Sequence, residues 1–119
     1  MAQDFTRAVA FDSSGDVAIG TTVRTIMTSD SDDAIIGIRL TNIHASAAIT
    51  ADVYINSSAS GSNADSYLAK AVPIPFATSL ELIDGGSKIV MKSGDVLKAN
   101  CGTANSLNVW VSYVDAISA

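Results

Sequence analysis

Period-two alternation is the feature of this sequence that most narrows its fold. Ile36, Ile38 and Leu40 alternate with Gly37, Arg39 and Thr41, and Ile49, Ala51, Val53 and Ile55 with Thr50, Asp52 and Tyr54. Leu107, Val109, Val111 and Tyr113 alternate with Asn108, Trp110, Ser112 and Val114. A strand turns successive side chains to opposite faces, so each run reads as a strand with one face on a core. No run of about a dozen residues keeps a helical apolar period without Gly, Pro or dense β-branching.

Clusters of turn residues break the chain at intervals of about 8–12 residues, the spacing of an all-β sandwich. Phe5–Phe11 reads as a strand stopped by Asp12-Ser13-Ser14-Gly15-Asp16, and Val17–Thr28 as a second stopped by Ser29-Asp30-Ser31-Asp32-Asp33. Ala34–Asn42 and Ile49–Ile55 are the clearest strands, and the short link His44-Ala45-Ser46 suggests that they pair antiparallel. Asn56–Asn63 is a small polar loop, and Asp65–Val72 a strand running into Pro73-Ile74-Pro75. A proline donates no ladder hydrogen bond, so that segment lies at an edge or crosses between sheets. Thr78–Ile83 ends at Asp84-Gly85-Gly86, Lys88–Lys92 and Asp95–Ala99 flank Ser93-Gly94 as a tight hairpin, and Leu107–Ile117 closes the chain. Eight or nine short strands without a repeat predict one antiparallel β-sandwich domain over residues 1–119, wound as a jelly roll or like an immunoglobulin domain. Residues 1–11 form either an N-terminal arm or an edge strand. Ile38, Leu40, Val53, Ile55, Val109 and Val111 are expected in the core.

Charge and composition restrict the function. The net charge is −5, and the seven basic residues Arg7, Arg24, Arg39, Lys70, Lys88, Lys92 and Lys98 are scattered, which argues against a nucleic-acid partner. No apolar run approaches the ~18 residues of a membrane-spanning helix, and the start lacks a basic-then-apolar signal, so the chain reads as soluble and made in the cytoplasm. Charged residues are only 16 % of the chain, against about 25 % in a typical domain. A surface so poor in charge suggests that a partner covers part of it.

Candidate chemistry is thin. The single histidine, His44, lies in a predicted turn with no Ser or Cys set beside it, and no Gly-x-Ser-x-Gly elbow or phosphate loop occurs. Cys101, alone, reads as a small buried apolar residue. The aspartates at 12 and 16, and at 30, 32 and 33, follow no calcium-loop pattern and suit local backbone hydrogen bonds. The sequence therefore nominates no catalytic, cofactor-binding or metal-ligating residue, and the chain is not expected to be an enzyme. If Val109, Val111 and Tyr113 face the core, Trp110 points outward, either into the other layer or under a loop, or as an interface anchor. Phe5, Arg7 and Trp110 are the candidate interface residues.

From Leu40 to Ser118 the chain carries an ordered set of short pieces: Leu40-Thr41-Asn42-Ile43, Val53-Tyr54-Ile55, Tyr67-Leu68-Ala69-Lys70-Ala71-Val72-Pro73-Ile74-Pro75 and Ser79-Leu80-Glu81-Leu82-Ile83-Asp84-Gly85-Gly86-Ser87-Lys88-Ile89-Val90-Met91. Ser93-Gly94-Asp95-Val96-Leu97-Lys98-Ala99 and Asn105-Ser106-Leu107-Asn108-Val109-Trp110-Val111-Ser112-Tyr113 complete it. This order resembles small structural proteins of tailed bacteriophages, especially those of cyanobacteria and marine bacteria. The resemblance implies a virion protein without catalytic residues or cofactors: a capsid decoration (cement) protein bound in many copies to the major capsid protein, or a neck, tail or baseplate accessory. It also implies a homo-oligomer, with a trimer favoured. A receptor- or carbohydrate-binding sandwich is the alternative. The segment before Asp12 is the least similar part and is a candidate for strand pairing with a neighbouring subunit.

Overall fold

Nine strands follow one another in the computed structural model, which describes residues 4–57, 64–83 and 88–117. They are β1 (Asp4–Val9), β2 (Arg24–Thr28), β3 (Asp33–Asn42), β4 (Ile49–Ser57), β5 (Ala64–Ile74), β6 (Ser79–Glu81), β7 (Ile89–Met91), β8 (Val96–Cys101) and β9 (Leu107–Asp115). The described residues contain no helix. One sheet runs β1-β9-β3-β6, with β7 also on β3, and the other runs β2-β8-β4-β5; every pairing is antiparallel.

β6 and β7 share one edge of β3. Thr41, Leu40 and Arg39 take Ser79, Leu80 and Glu81, while Ile35, Ala34 and Asp33 take Ile89, Val90 and Met91. They amount to one edge strand interrupted between residues 81 and 89. Counted so, the pairings nest: β1 with β9, β2 with β8, β3 with β6 and β7, β4 with β5. A long hairpin rolled into two sheets has this strand order, so the sandwich is wound as a jelly roll.

The alternation places the core as expected. Ile38, Leu40, Val53 and Val111 are fully buried, Val109 nearly so, and Ile55 at 9 % exposure joins the same cluster. Burying such side chains stabilises by about 1.5–3 kcal/mol each. Cys101 belongs to this cluster, and burial pushes its thiol pKa up.

Four local expectations need correction. Within β3 the register against β9 shifts between Ile35 and Gly37, so Ile35 is buried and Ile36, the extra residue of the bulge, is only half-buried. β3 and β4 do not pair; the link between them crosses from one sheet to the other. Asn42 pins the crossing: its Nδ2 donates to the carbonyls of Ala47, Ile74 and Pro75, and its Oδ1 accepts the His44 amide. Ser93-Gly94 is a turn, but not a hairpin turn, because β7 and β8 lie in different sheets. The Asp95 amide donates to the Lys92 carbonyl (3.0 Å), with Gly94 at φ 94° where a side chain would be strained. Finally, of Val17–Thr28 only Arg24–Thr28 is a strand. Ile19 makes an isolated bridge to Leu107, and Gly20 lies so close to the Ala104–Asn105 backbone that a Cβ would sit 2.9 Å from it.

Pro73 lies opposite Thr50 on the edge strand β5, which then leads into the other sheet, so both expectations for that segment hold. Most of the polar loop ending at Asn63, and the turn at Asp84-Gly85-Gly86, lie outside the described residues.

Candidate functional site

The outer face of the β1-β9-β3-β6 sheet gathers the candidate interface residues. Strand phase sends Phe5, Arg7 and Val9 outward from β1, and Asn108, Trp110 and Ser112 outward from β9. Gly37, Arg39 and Thr41 do the same from β3, opposite Ser112, Trp110 and Asn108. A single cross-strand row therefore reads Val9, Trp110, Arg39, Glu81.

Trp110 is 49 % exposed and Phe5 81 % exposed, large apolar areas for adjacent strands of a small sheet. The Arg7 guanidinium lies over the Trp110 ring, 5.4 Å from its centroid, a cation–π contact. On the other flank Arg39 donates from Nε to Glu81, a pair that is more than half exposed on the arginine side. Such a pair contributes about 0–1 kcal/mol to stability, so its main effect is to hold the Arg39 fork beside the indole.

A groove of about 470 Å³ runs along this row, walled by Trp110, Arg39, Glu81 and Asn108 and floored at Gly37, where no side chain fills it. A smaller apolar groove of about 160 Å³ continues from Trp110 past Val9 and Val17. Asn108 lines both, and its Oδ1 is buried without a hydrogen-bond partner among the described residues. Buried acceptors are nearly always paired, and this oxygen lies beneath the groove and not on its open surface.

The sequence had nominated Phe5, Arg7 and Trp110, and the structure places all three on this face. It had not nominated Arg39, Glu81 or Asn108. The alternation did set Arg39 and Asn108 opposite the core positions, but only the register between distant strands brings them to Trp110.

Three other polar clusters make local hydrogen bonds. His44 Nδ1 accepts the amides of Ser46 and Ala47, both at 3.0 Å, within its turn. Asp12 Oδ1 accepts from the Ser14 amide, the Ser14 hydroxyl and the Asp16 amide, and the Asp16 amide first, then the Ser14 hydroxyl, holds its pKa below the ordinary value. Asp30, Asp33 and Asp115 bring carboxylate oxygens within 4.8 Å of one another. Both oxygens of the buried Asp33 are already occupied, Oδ2 by the Ser29 hydroxyl (2.7 Å) and Oδ1 by the Ala116 amide (3.0 Å) and Ser31 hydroxyl (3.2 Å). Burial alone would raise its pKa, but these hydrogen bonds together outweigh it and lower it. Asp115 is pushed up, chiefly by its hydrogen bond with Asp33. The trio is thus a structural cluster that ties the β2–β3 turn to the end of β9.

No family model, curated protein or solved structure matches this chain.

Proposed function

We propose that the chain is a structural protein of a tailed-phage particle, a decoration protein bound in many copies to the head surface. Its role is to be held by neighbours rather than to catalyse. The observation that carries this reading is the exposed set of Phe5, Arg7 and Trp110 on one sheet face. An indole with an arginine stacked on it, beside open apolar area, has the chemistry of an interface hot spot. The low charge and the ordered resemblance from Leu40 onward support the same reading. Many weak contacts of this kind gain strength through repetition across a particle.

The test is quantitative mass spectrometry of purified particles, with Trp110→Ala as the matched variant. A decoration protein is present in tens to hundreds of copies, and the variant is depleted while still folding. Absence from particles overturns the reading, and one or a few copies per particle moves the protein to the neck, tail or baseplate.

One feature favours a second reading as a glycan-binding module. The groove beside Trp110 combines a flat aromatic wall with Arg39, Glu81 and Asn108, groups able to hydrogen-bond hydroxyls in a shallow site. Retention of a soluble glycan that Trp110→Ala abolishes would favour this reading over the first.

A further inference from the structure

We propose that β1 is a pairing edge for a second copy of this chain, the two copies joining antiparallel about a two-fold axis at Thr6. The result is one continuous sheet through both molecules. This inference rests on the backbone and not on the virion reading.

The two sheets present four edges, and three of them are blunted against strand addition. β5 carries Pro73, two register shifts against β4, and Ala71 at φ 50°. The edge made by β6 and β7 is interrupted between residues 81 and 89. β2 has five residues with a register shift between Thr25 and Met27. β1 differs: its six residues run in unbroken register along β9, without proline, glycine, lysine or bulge, and no described strand pairs its other side. Such an edge is a template for another strand: it carries two charged residues, Asp4 and Arg7, but none of the breaks in backbone or register that block the other three.

The backbone direction then limits how two copies meet. The Ala10 amide donates to the Val109 carbonyl, so in β1 the alternate residues Asp4, Thr6 and Ala8 turn their backbone groups to β9. Phe5, Arg7 and Val9 turn theirs to the open side. Only registers that match these three among themselves satisfy both strands. Arg7 against Arg7 sets like charges face to face, which is unfavourable. Phe5 against Phe5 pairs only residues 4–6 of β1, and Arg7 against Val9 only residues 7–9. Phe5 against the second copy's Arg7 avoids both faults: it uses residues 4–8 of each copy and places Thr6 against Thr6 at the axis.

In that register each Phe5 ring, 81 % exposed in one copy, packs on the arginine whose guanidinium already lies over its own Trp110. Two Trp110-centred grooves then open on one shared face. The contact is isologous and closes at two copies, where the resemblance implies three.

The experiment is light scattering on the full chain at tens of micromolar, expected to give twice the 12.2 kDa monomer mass. Arg7→Pro removes an open-edge N–H and none directed at β9, so it should halve the mass with an unchanged circular dichroism spectrum. Thr6→Cys should cross-link two copies on mild oxidation, because opposed residues of a non-hydrogen-bonded pair have Cα atoms about 4.5 Å apart, within disulfide range. Phe5→Cys should not, and the native Cys101 is too buried to contribute. A monomer or a trimer at all concentrations overturns the proposal. So does an Arg7→Pro dimer, or cross-linking through residue 5 in place of residue 6.

Discussion

Arg7 and Trp110 sit on neighbouring strands, one pair out of direct register, and meet because the arginine reaches along the sheet to lay its guanidinium over the indole. The contact fixes Trp110 without covering it. Trp110→Ala should therefore lower the stability of the isolated protein by about 1.5–2.5 kcal/mol, from the half of the side chain that is buried together with an exposed cation–π contact, and leave it folded. Thermal melting of the purified variant checks this; a loss of several kcal/mol would mean that the indole supports the core.

The core positions behave oppositely. Val53 and Val111 are fully buried in the two facing sheets. An aspartate at either has no partner, and the expected loss exceeds about 4 kcal/mol, enough to prevent stable folding of a domain of ordinary stability. Either variant recovered soluble with an unchanged melting temperature would contradict the strand phase.

Two glycines separate close packing from open space. A Cβ at Gly20 would meet the Ala104 and Asn105 backbone at 2.9 Å, whereas at Gly37 the nearest atom is Ser112 Cβ at 4.0 Å. Gly20→Ala should cost about 1–3 kcal/mol through overpacking. Gly37→Ala should gain about 0.5–1 kcal/mol, because glycine in a strand loses more freedom on folding. Denaturant titration of both variants gives the two signs directly.

The carboxylate cluster predicts a stability profile with two opposing limbs. Asp115 has a raised pKa in the fold, so its protonation as pH falls through that value favours the folded state. Asp33 has a lowered one, so its contribution is present above the ordinary carboxylate pKa and is lost as pH falls through its own. Asp115→Asn should raise stability at neutral pH and flatten the first limb. Asp33→Ala should lower stability at neutral pH, since the Ala116 amide loses its acceptor and the Ser29 hydroxyl keeps only the Ser31 carbonyl. Melting temperatures across pH 2–8 test both, and a wild-type profile without curvature in the acid range would contradict the coupling.

How far the fold was legible depended on how strictly each segment alternates. In β9 aliphatic Leu107, Val109 and Val111 alternate with Asn108, Trp110 and Ser112, and the polar residues on either side of Trp110 set the phase that buries the first three and turns the indole outward. Ala34-Ile35-Ile36 is apolar at both parities, so nothing in the residues fixes which isoleucine faces inward, and the bulge decides it. The link from β3 to β4 looks like a hairpin because loop length alone cannot tell a return within one sheet from a corner between two. Asn42, whose side chain bonds two separate links, makes it a corner. The stretch from Val17 is rich enough in Thr and Val to read as strand, yet Gly20 is there for a close backbone approach. The site was half legible for the same reason: phase shows which residues point outward, but the meeting of Trp110 with Arg39 and Glu81 depends on register across strands far apart in sequence.

The nested strand order also dictates a sequence of assembly. Ser57 lies opposite Ala64, seven positions on, while Val9 lies opposite Trp110, 101 positions on. Closing the longer loop from an open chain costs about four more doublings of length, roughly 2.4 kcal/mol of extra entropy. The β4–β5 hairpin is therefore the cheapest contact to nucleate, and each outer pair becomes affordable only after the one inside it has shortened the remaining loop. β1, whose one described partner is β9, closes the longest loop of the four nested pairs. In a newly made chain β1 has no described strand to pair with until β9 has been synthesised, so the face that carries Phe5, Arg7 and Trp110 is completed only after β9 has emerged.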